Sequence, residues 1–152
     1  MGGQTYISDE VDALGLAGGL LKFARILDQQ VRLARPEDGL NLAELSVLGA
    51  VAAGHDTPSA IARAVRLDPA RITHISDRLV SLSYLRREPD QLDRRRWRMH
   101  LTTTGEKRAE DGRSDVDTSM RRLLVGLTQA EIDGMLRALE GIRRVVAGHE
   151  QS

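Results

Sequence analysis

Apolar residues along this chain recur first every three or four positions, then once every second position, and then again every three or four. The first helical stretch is expected from about Asp9 to Leu33, with Val11, Leu14, Ala17, Leu20, Leu21, Ala24, Leu27 and Val31 as its stripe. Gly15, Gly18 and Gly19 interrupt it. A glycine inside a helix costs about 0.5–1 kcal/mol relative to alanine, so the segment either bends there or packs closely against a partner backbone. After the turn Arg35-Pro36-Glu37-Asp38-Gly39, Asn41 is placed to cap a second helix, Glu44 closes a capping box, and Leu45, Leu48 and Val51 face inward. Gly54-His55-Asp56 ends that helix, and Thr57-Pro58 starts a short third one carrying Ile61, Ala62 and Val65. The fourth has Asp68 as N-cap and Pro69 at its first position. Over 69–82 it turns Ile72, Ile75, Leu79 and Leu82 inward and leaves Ala70, Arg71, His74, Asp77 and Arg78 on the other side.

The period then shortens to two. From Arg96 to Leu101, Trp97, Met99 and Leu101 share one face of a strand and Arg96, Arg98 and His100 the other. Tyr84-Leu85-Arg86-Arg87-Glu88 is the natural partner strand across the polar turn Pro89-Asp90-Gln91-Leu92-Asp93. A highly charged helix over about 105–126 carries a sparse stripe of Ala109, Val116, Met120, Leu123 and Leu124. A last helix starts at the cap Thr128, with Glu131 closing the box, and runs along Ile132, Met135, Leu136, Leu139, Ile142 and Val146. The expected fold is mainly α with a small β-hairpin wing: a winged helix-turn-helix over 37–102, flanked by helical parts over 1–36 and 103–152. The flanking helices have no large core of their own. They are expected to bury one another across a two-fold axis, giving a homodimer with Val11, Leu14, Leu123, Leu127, Ile132, Met135, Leu136, Leu139, Ile142 and Val146 at the interface.

Composition narrows the function. The 152 residues include one Trp, two Tyr and one Phe, so helix-on-helix packing is favoured over a sheet sandwich. The absence of cysteine excludes disulfides, thiol redox sensing and Cys-rich metal sites. No long apolar run and no basic-then-apolar start are present, so a soluble, cytoplasmic protein without membrane partners is expected. The sequence has no Ser/His/Asp spacing, no glycine-rich loop after a strand and no paired carboxylates, which argues against an enzyme. His55, His74, His100 and His149 are dispersed, so neither a metal site nor a cofactor is expected, although a metal-responsive regulator stays as an alternative.

Formal net charge is zero, yet the charges are polarised. From Arg63 to Arg98 there are ten arginines against five acids, a window of +5 that leaves −5 for the remainder. Arginine's planar fork suits phosphates and guanine edges, so one basic surface facing double-stranded DNA is the reading this distribution favours. Arg71, Thr73, His74 and Arg78 are the candidates for a major groove, and Arg94, Arg95 and Arg96 at the hairpin tip suit a minor groove. Asp93 is read as the orienter of Arg95. Ser59, with Thr57, lies at the start of the preceding helix, where it either meets a phosphate or serves as a cap. Asp77 is costly near phosphates unless it accepts from a cytosine amino group or holds Arg78. A winged helix reduced to protein contacts is the other alternative, and an uncharged wing would have signalled it.

These residues carry a resemblance. Asp93-Arg94-Arg95, the strand Arg96 to His100 and Leu101-Thr102-Thr103-Thr104-Gly105 resemble the wing and following junction of the MarR family, the multiple-antibiotic-resistance type of bacterial repressors. Leu40-Asn41-Leu42 and Leu127-Thr128-Gln129-Ala130-Glu131 resemble the starts of that family's second and last helices. The resemblance implies a homodimeric transcriptional regulator that reads a pseudo-palindromic operator, with the helix 69–82 in the major groove and the wing 89–97 in the minor groove. It also implies release by a small amphipathic or aromatic acid, for which Phe23, Arg25, Leu27, Leu48, Arg113 and Met120 are the candidate contacts. One position departs: Ser83 stands where the family usually has glycine, so either it takes a left-handed conformation at some cost or the turn into Tyr84 is altered.

Overall fold

Local capping fixes where most of the helices begin and end. The computed structural model describes residues 13–94 and 96–149, with side chains from Leu14 to Arg144. Val11, Arg95 and the side chain of Val146 therefore lie outside the described residues. The elements are α1 (Ala13–Ala34), α2 (Leu42–Ala52), α3 (Pro58–Val65), α4 (Pro69–Ser81), β1 (Leu85–Pro89), β2 (Trp97–Leu101), α5 (Thr103–Leu123) and α6 (Gln129–His149). They form the expected mainly α fold with a two-stranded wing.

Asn41 Oδ1 accepts the Glu44 N–H at 2.9 Å and Glu44 Oε2 accepts the Asn41 N–H at 2.8 Å, so both halves of the expected capping box are present. Asp28 on α1 takes the next free amide, that of Leu42, at 2.8 Å. Thr57 caps α3 by accepting from the Ala60 N–H at 3.3 Å. Asp68 occupies the N-cap of α4 but makes no side-chain cap bond. Thr128 and Glu131 close the box of α6, at 2.7 and 3.3 Å.

At the end of α4 the Ser83 N–H donates to the Val80 carbonyl and the Tyr84 N–H to the Leu79 carbonyl, both at 2.9 Å, with Ser83 at φ +61°. This is a Schellman ending with serine in the left-handed position, so of the two alternatives at Ser83 the left-handed one holds. Leu82, expected inside the helix, is its half-buried C-cap.

The chain divides into two compact units, Met1–Ser119 and Met120–Ser152. In the first, Val31, Leu40, Val47, Leu48, Ile61, Ile72, Leu79 and Leu85 form the most deeply buried core. The hairpin is antiparallel, pairing Leu85 with Leu101 and Pro89 with Trp97, and the Met99 N–H reaches the Asp56 carbonyl at 2.7 Å, which ties β2 to the loop before α3. α1 stays helical through Gly18 and Gly19, and no other part of the described chain approaches either glycine within 4 Å of where a Cβ would stand. It buries Leu27 and Val31 and exposes Leu14, Leu16, Leu20, Leu21 and Leu33.

α5 differs from its expected stripe. Its buried face is Gly105, Arg108, Ala109, Gly112 and Ser119, of which the apolar pattern identified only Ala109. Its neighbours approach too closely at the two glycines for a larger residue: a Cβ on Gly105 would lie 1.9 Å from the Tyr84 carbonyl oxygen, and one on Gly112 2.6 Å from the Leu45 side chain. The second unit holds the end of α5, Met120–Leu123, and α6, which exposes Leu136, Leu139 and Ile142. Among the described residues no helix is long and apolar enough to cross a membrane.

Candidate nucleic-acid interface

The candidate surface is built from the start of α3, the outer face of α4 and the hairpin. Ser59 is exposed in the first turn of α3, its Oγ 3.5 Å from Thr57 Oγ1. Because Ile72, Ile75 and Leu79 turn one side of α4 into the core, Arg71, Thr73 and His74 stand exposed on the other. Arg71 and His74 form no ion pair among the described residues. Thr73 Oγ1 donates back to the Pro69 carbonyl at 3.1 Å, so its hydroxyl is engaged within its own helix.

Arg78 lies elsewhere. Its Nη1 pairs with the buried Glu44 carboxylate and its Nη2 donates to the Asp38 carbonyl at 2.9 Å, so the guanidinium expected to face outward is turned toward α2 and the turn before it. The sequence order hid this because Glu44 is 34 residues away. Asp77 holds Arg87 on β1, across the join between α4 and the wing, and not Arg78.

The wing is braced in the same way. Arg98 bridges Asp56 and Asp90, with Nε 2.7 Å from Asp90 Oδ2, and Asp56 foremost and then Asp90 raise its pKa. Asp90 Oδ1 accepts the N–H groups of Leu92 at 2.7 Å and Asp93 at 3.2 Å, an Asx turn that shapes the tip. The Leu92 amide, then Arg98, hold its carboxyl below the usual carboxylate range. Arg86 pairs with Glu88, and His100 Nε2 lies 3.5 Å from the Glu88 carboxylate. Asp93 pairs with Arg96 at 3.3 Å. The expected pairing of Asp93 with Arg95 lies outside the described residues. Arg94 is exposed and forms no ion pair among them.

The basic window thus separates into bracing and open arginines. Arg78, Arg86, Arg87 and Arg98 are tied to acids, whereas Arg71 and Arg94 point a full charge outward. Where α3, α4 and the hairpin meet, Pro58, Thr73, Ser76, Arg87, Trp97 and Met99 line a recess of about 170 Å³, and the buried Ser76 Oγ has no hydrogen-bond partner among the described residues. None of the six residues expected to contact an effector lines it. Leu27 and Leu48 are core side chains, Phe23 and Met120 are half-buried, and Arg25 and Arg113 are exposed. Sequence reading missed Asp38, Glu44, Asp56 and Arg108 as partners of the site. Glu44 alone gave a signal, and only as a cap.

Residues 38–96 match the model of the MarR family. No curated protein sequence matches the chain. Among solved structures, the reduced form of MarR from E. coli is 25% identical, covers 88% of this chain and 98% of its own, and superposes with a TM-score of 0.72. BpsR of Bordetella bronchiseptica, whose DNA binding is regulated by 6-hydroxynicotinic acid, is 22% identical over 91% of this chain and 96% of its own, with a TM-score of 0.72. A cysteine-to-serine mutant of E. coli MarR complexed with operator DNA is 23% identical over 91% and 99%, with a TM-score of 0.69. Residues 38–96 of this chain thus match the MarR-family model, and the chain has the fold of these solved MarR structures.

Proposed function

We propose that the chain is a homodimeric, sequence-specific DNA-binding regulator of transcription. The observation that carries the reading is the contrast between braced and open arginines: Arg71 on α4 and Arg94 at the wing tip are exposed and paired with no acid among the described residues, while their neighbours Arg87 and Arg98 are tied to Asp77 and Asp90. In this reading α4 enters a major groove with Arg71, Thr73 and His74, and the wing lays Arg94, Arg95 and Arg96 along the adjacent minor groove, Arg95 on the strength of the sequence alone. The E. coli MarR complex with operator DNA supports it.

The homodimer rests on apolar surface. Leu14 is 84% exposed, and Leu136, Leu139 and Ile142 are about half exposed, a combination that a second copy of the chain would bury. Two recognition helices related by a two-fold axis would read half-sites about 10 base pairs apart. Repression relieved by a small amphipathic or aromatic acid is the regulatory part of the proposal, and the response of BpsR to 6-hydroxynicotinic acid supports it.

Selection of bound duplexes from a random-sequence pool tests the reading. A pseudo-palindrome should be enriched, Arg71→Ala should reduce discrimination between it and scrambled DNA, and Arg94→Ala should weaken both about equally. A pool that stays unenriched would overturn the proposal.

A further inference from the structure

A chain of part-buried polar groups runs from α5 to the recognition helix through a single turn residue. Arg108 on α5, 5% exposed, places Nε 2.5 Å from Asp38 Oδ2 and Nη2 3.2 Å from Asp38 Oδ1, a two-point pairing of guanidinium with carboxylate. The Tyr84 hydroxyl, just past the end of α4, donates to Asp38 Oδ2 at 2.9 Å, and the Leu40 N–H donates to Oδ1 at 3.1 Å. The backbone carbonyl of the same residue accepts from Arg78 on α4 at 2.9 Å. Arg78 is also tied to Glu44, whose other oxygen caps α2. Arg108 further approaches Asp115 at 3.5 Å, and Asp115 takes Arg35 of the turn after α1 at 2.7 Å. A carboxylate this enclosed is costly unless every lone pair is used, and here both oxygens are doubly engaged. Burial alone raises its pKa, yet Arg108, Leu40 and Tyr84 together bring it below the ordinary value.

We propose that Asp38 is a positioning residue for DNA recognition: its carboxylate grips α5 through Arg108 and its carbonyl grips α4 through Arg78, so the orientation of the recognition helix is referred to α5. The inference rests on the DNA-binding reading above, and it gives the bracing residue Arg78 a role in recognition without contact to DNA. The arrangement predicts an electrostatic paradox. Removing a negative charge from a protein that binds DNA by attraction alone should strengthen binding. Asp38→Asn should instead weaken it, because the amide cannot satisfy the Arg108 fork on both oxygens.

The test measures binding to a duplex selected from a random pool by the parent protein, across a salt series. Asp38→Asn should lower affinity about 2- to 30-fold with the salt slope unchanged, and Tyr84→Phe, which removes one donor only, should act in the same direction more weakly. Arg78→Gln should likewise lower affinity at constant slope, whereas loss of a phosphate contact would reduce the slope by about 0.9. In parallel, hydrogen exchange of the free proteins should show faster exchange over 69–85 in Asp38→Asn and no change in α6. Unchanged or tighter binding by Asp38→Asn, a reduced slope for Arg78→Gln, or unchanged exchange over 69–85 would each overturn the proposal. A parent that selects no duplex defeats the DNA reading alone, and the exchange comparison then decides whether Asp38 holds α4 in place.

Discussion

Arg98 Nε stands 2.7 Å from Asp90 Oδ2, so β2 is tied directly to the residue that begins the wing turn. The same carboxylate holds the Leu92 and Asp93 amides, and loop shape and strand position therefore depend on one ionised group. Its pKa is depressed in the folded state, so its stabilisation is fully present above the unfolded carboxylate value and is lost as pH falls through the lower folded value. Emission of Trp97, the neighbour of Arg98 on β2, should stay constant from pH 7 down to about 4 and change below it. Asp90→Asn should produce the low-pH spectrum already at pH 7. A wing signal that titrates between pH 5 and 7 would rule out Asp90 as its source.

Gly105 is confined by the Tyr84 carbonyl, 1.9 Å from where its Cβ would stand. Gly105→Ala must displace either the start of α5 or the turn after α4, and it should destabilise by at least about 1–3 kcal/mol despite alanine's better helix propensity. Urea denaturation reads this. Gly18→Ala, where nothing lies within 4 Å, is the control and should be neutral or stabilising.

Ser83 pays for a left-handed conformation with φ at +61°. Ser83→Gly relieves it, offset in part by the greater freedom of glycine in the unfolded chain, and should stabilise by about 0.5–1 kcal/mol. Its carbonyl still accepts from Thr102 Oγ1, so hairpin geometry and DNA affinity should be unchanged. Thermal melts of the two proteins, compared at equal concentration, check the sign.

Leu139 on α6 is 49% exposed in one copy of the chain. If a second copy covers it, Leu139→Asp buries an unpaired carboxylate at a cost of several kcal/mol, and sedimentation should find monomer or unfolded protein with operator affinity near the non-specific level. A variant that sediments as a dimer and binds normally would remove α6 from the interface.

The sequence by itself determined the parts governed by neighbours in the chain. Asn41 with Glu44, Thr57 with Pro58 and Thr128 with Glu131 reach across three residues or fewer, so their caps were legible, as were the two periodicities that separate α4 from β2. Ser83 was legible as a choice between two conformations, and the backbone decided it. The tertiary structure alone decided which arginines face out. Arg78 pairs with Glu44, Arg98 with Asp56 besides Asp90, and Arg108 with Asp38, acids 34, 42 and 70 residues away, and no local pattern distinguishes these arginines from Arg71 or Arg94. It also decided the buried face of α5, where Gly105 lies against the Tyr84 carbonyl and Gly112 against the Leu45 side chain, a close approach that hydrophobic periodicity cannot register. Position in the chain sets the period and the cap; the partner of a long, charged side chain is set by whatever folding brings within its reach.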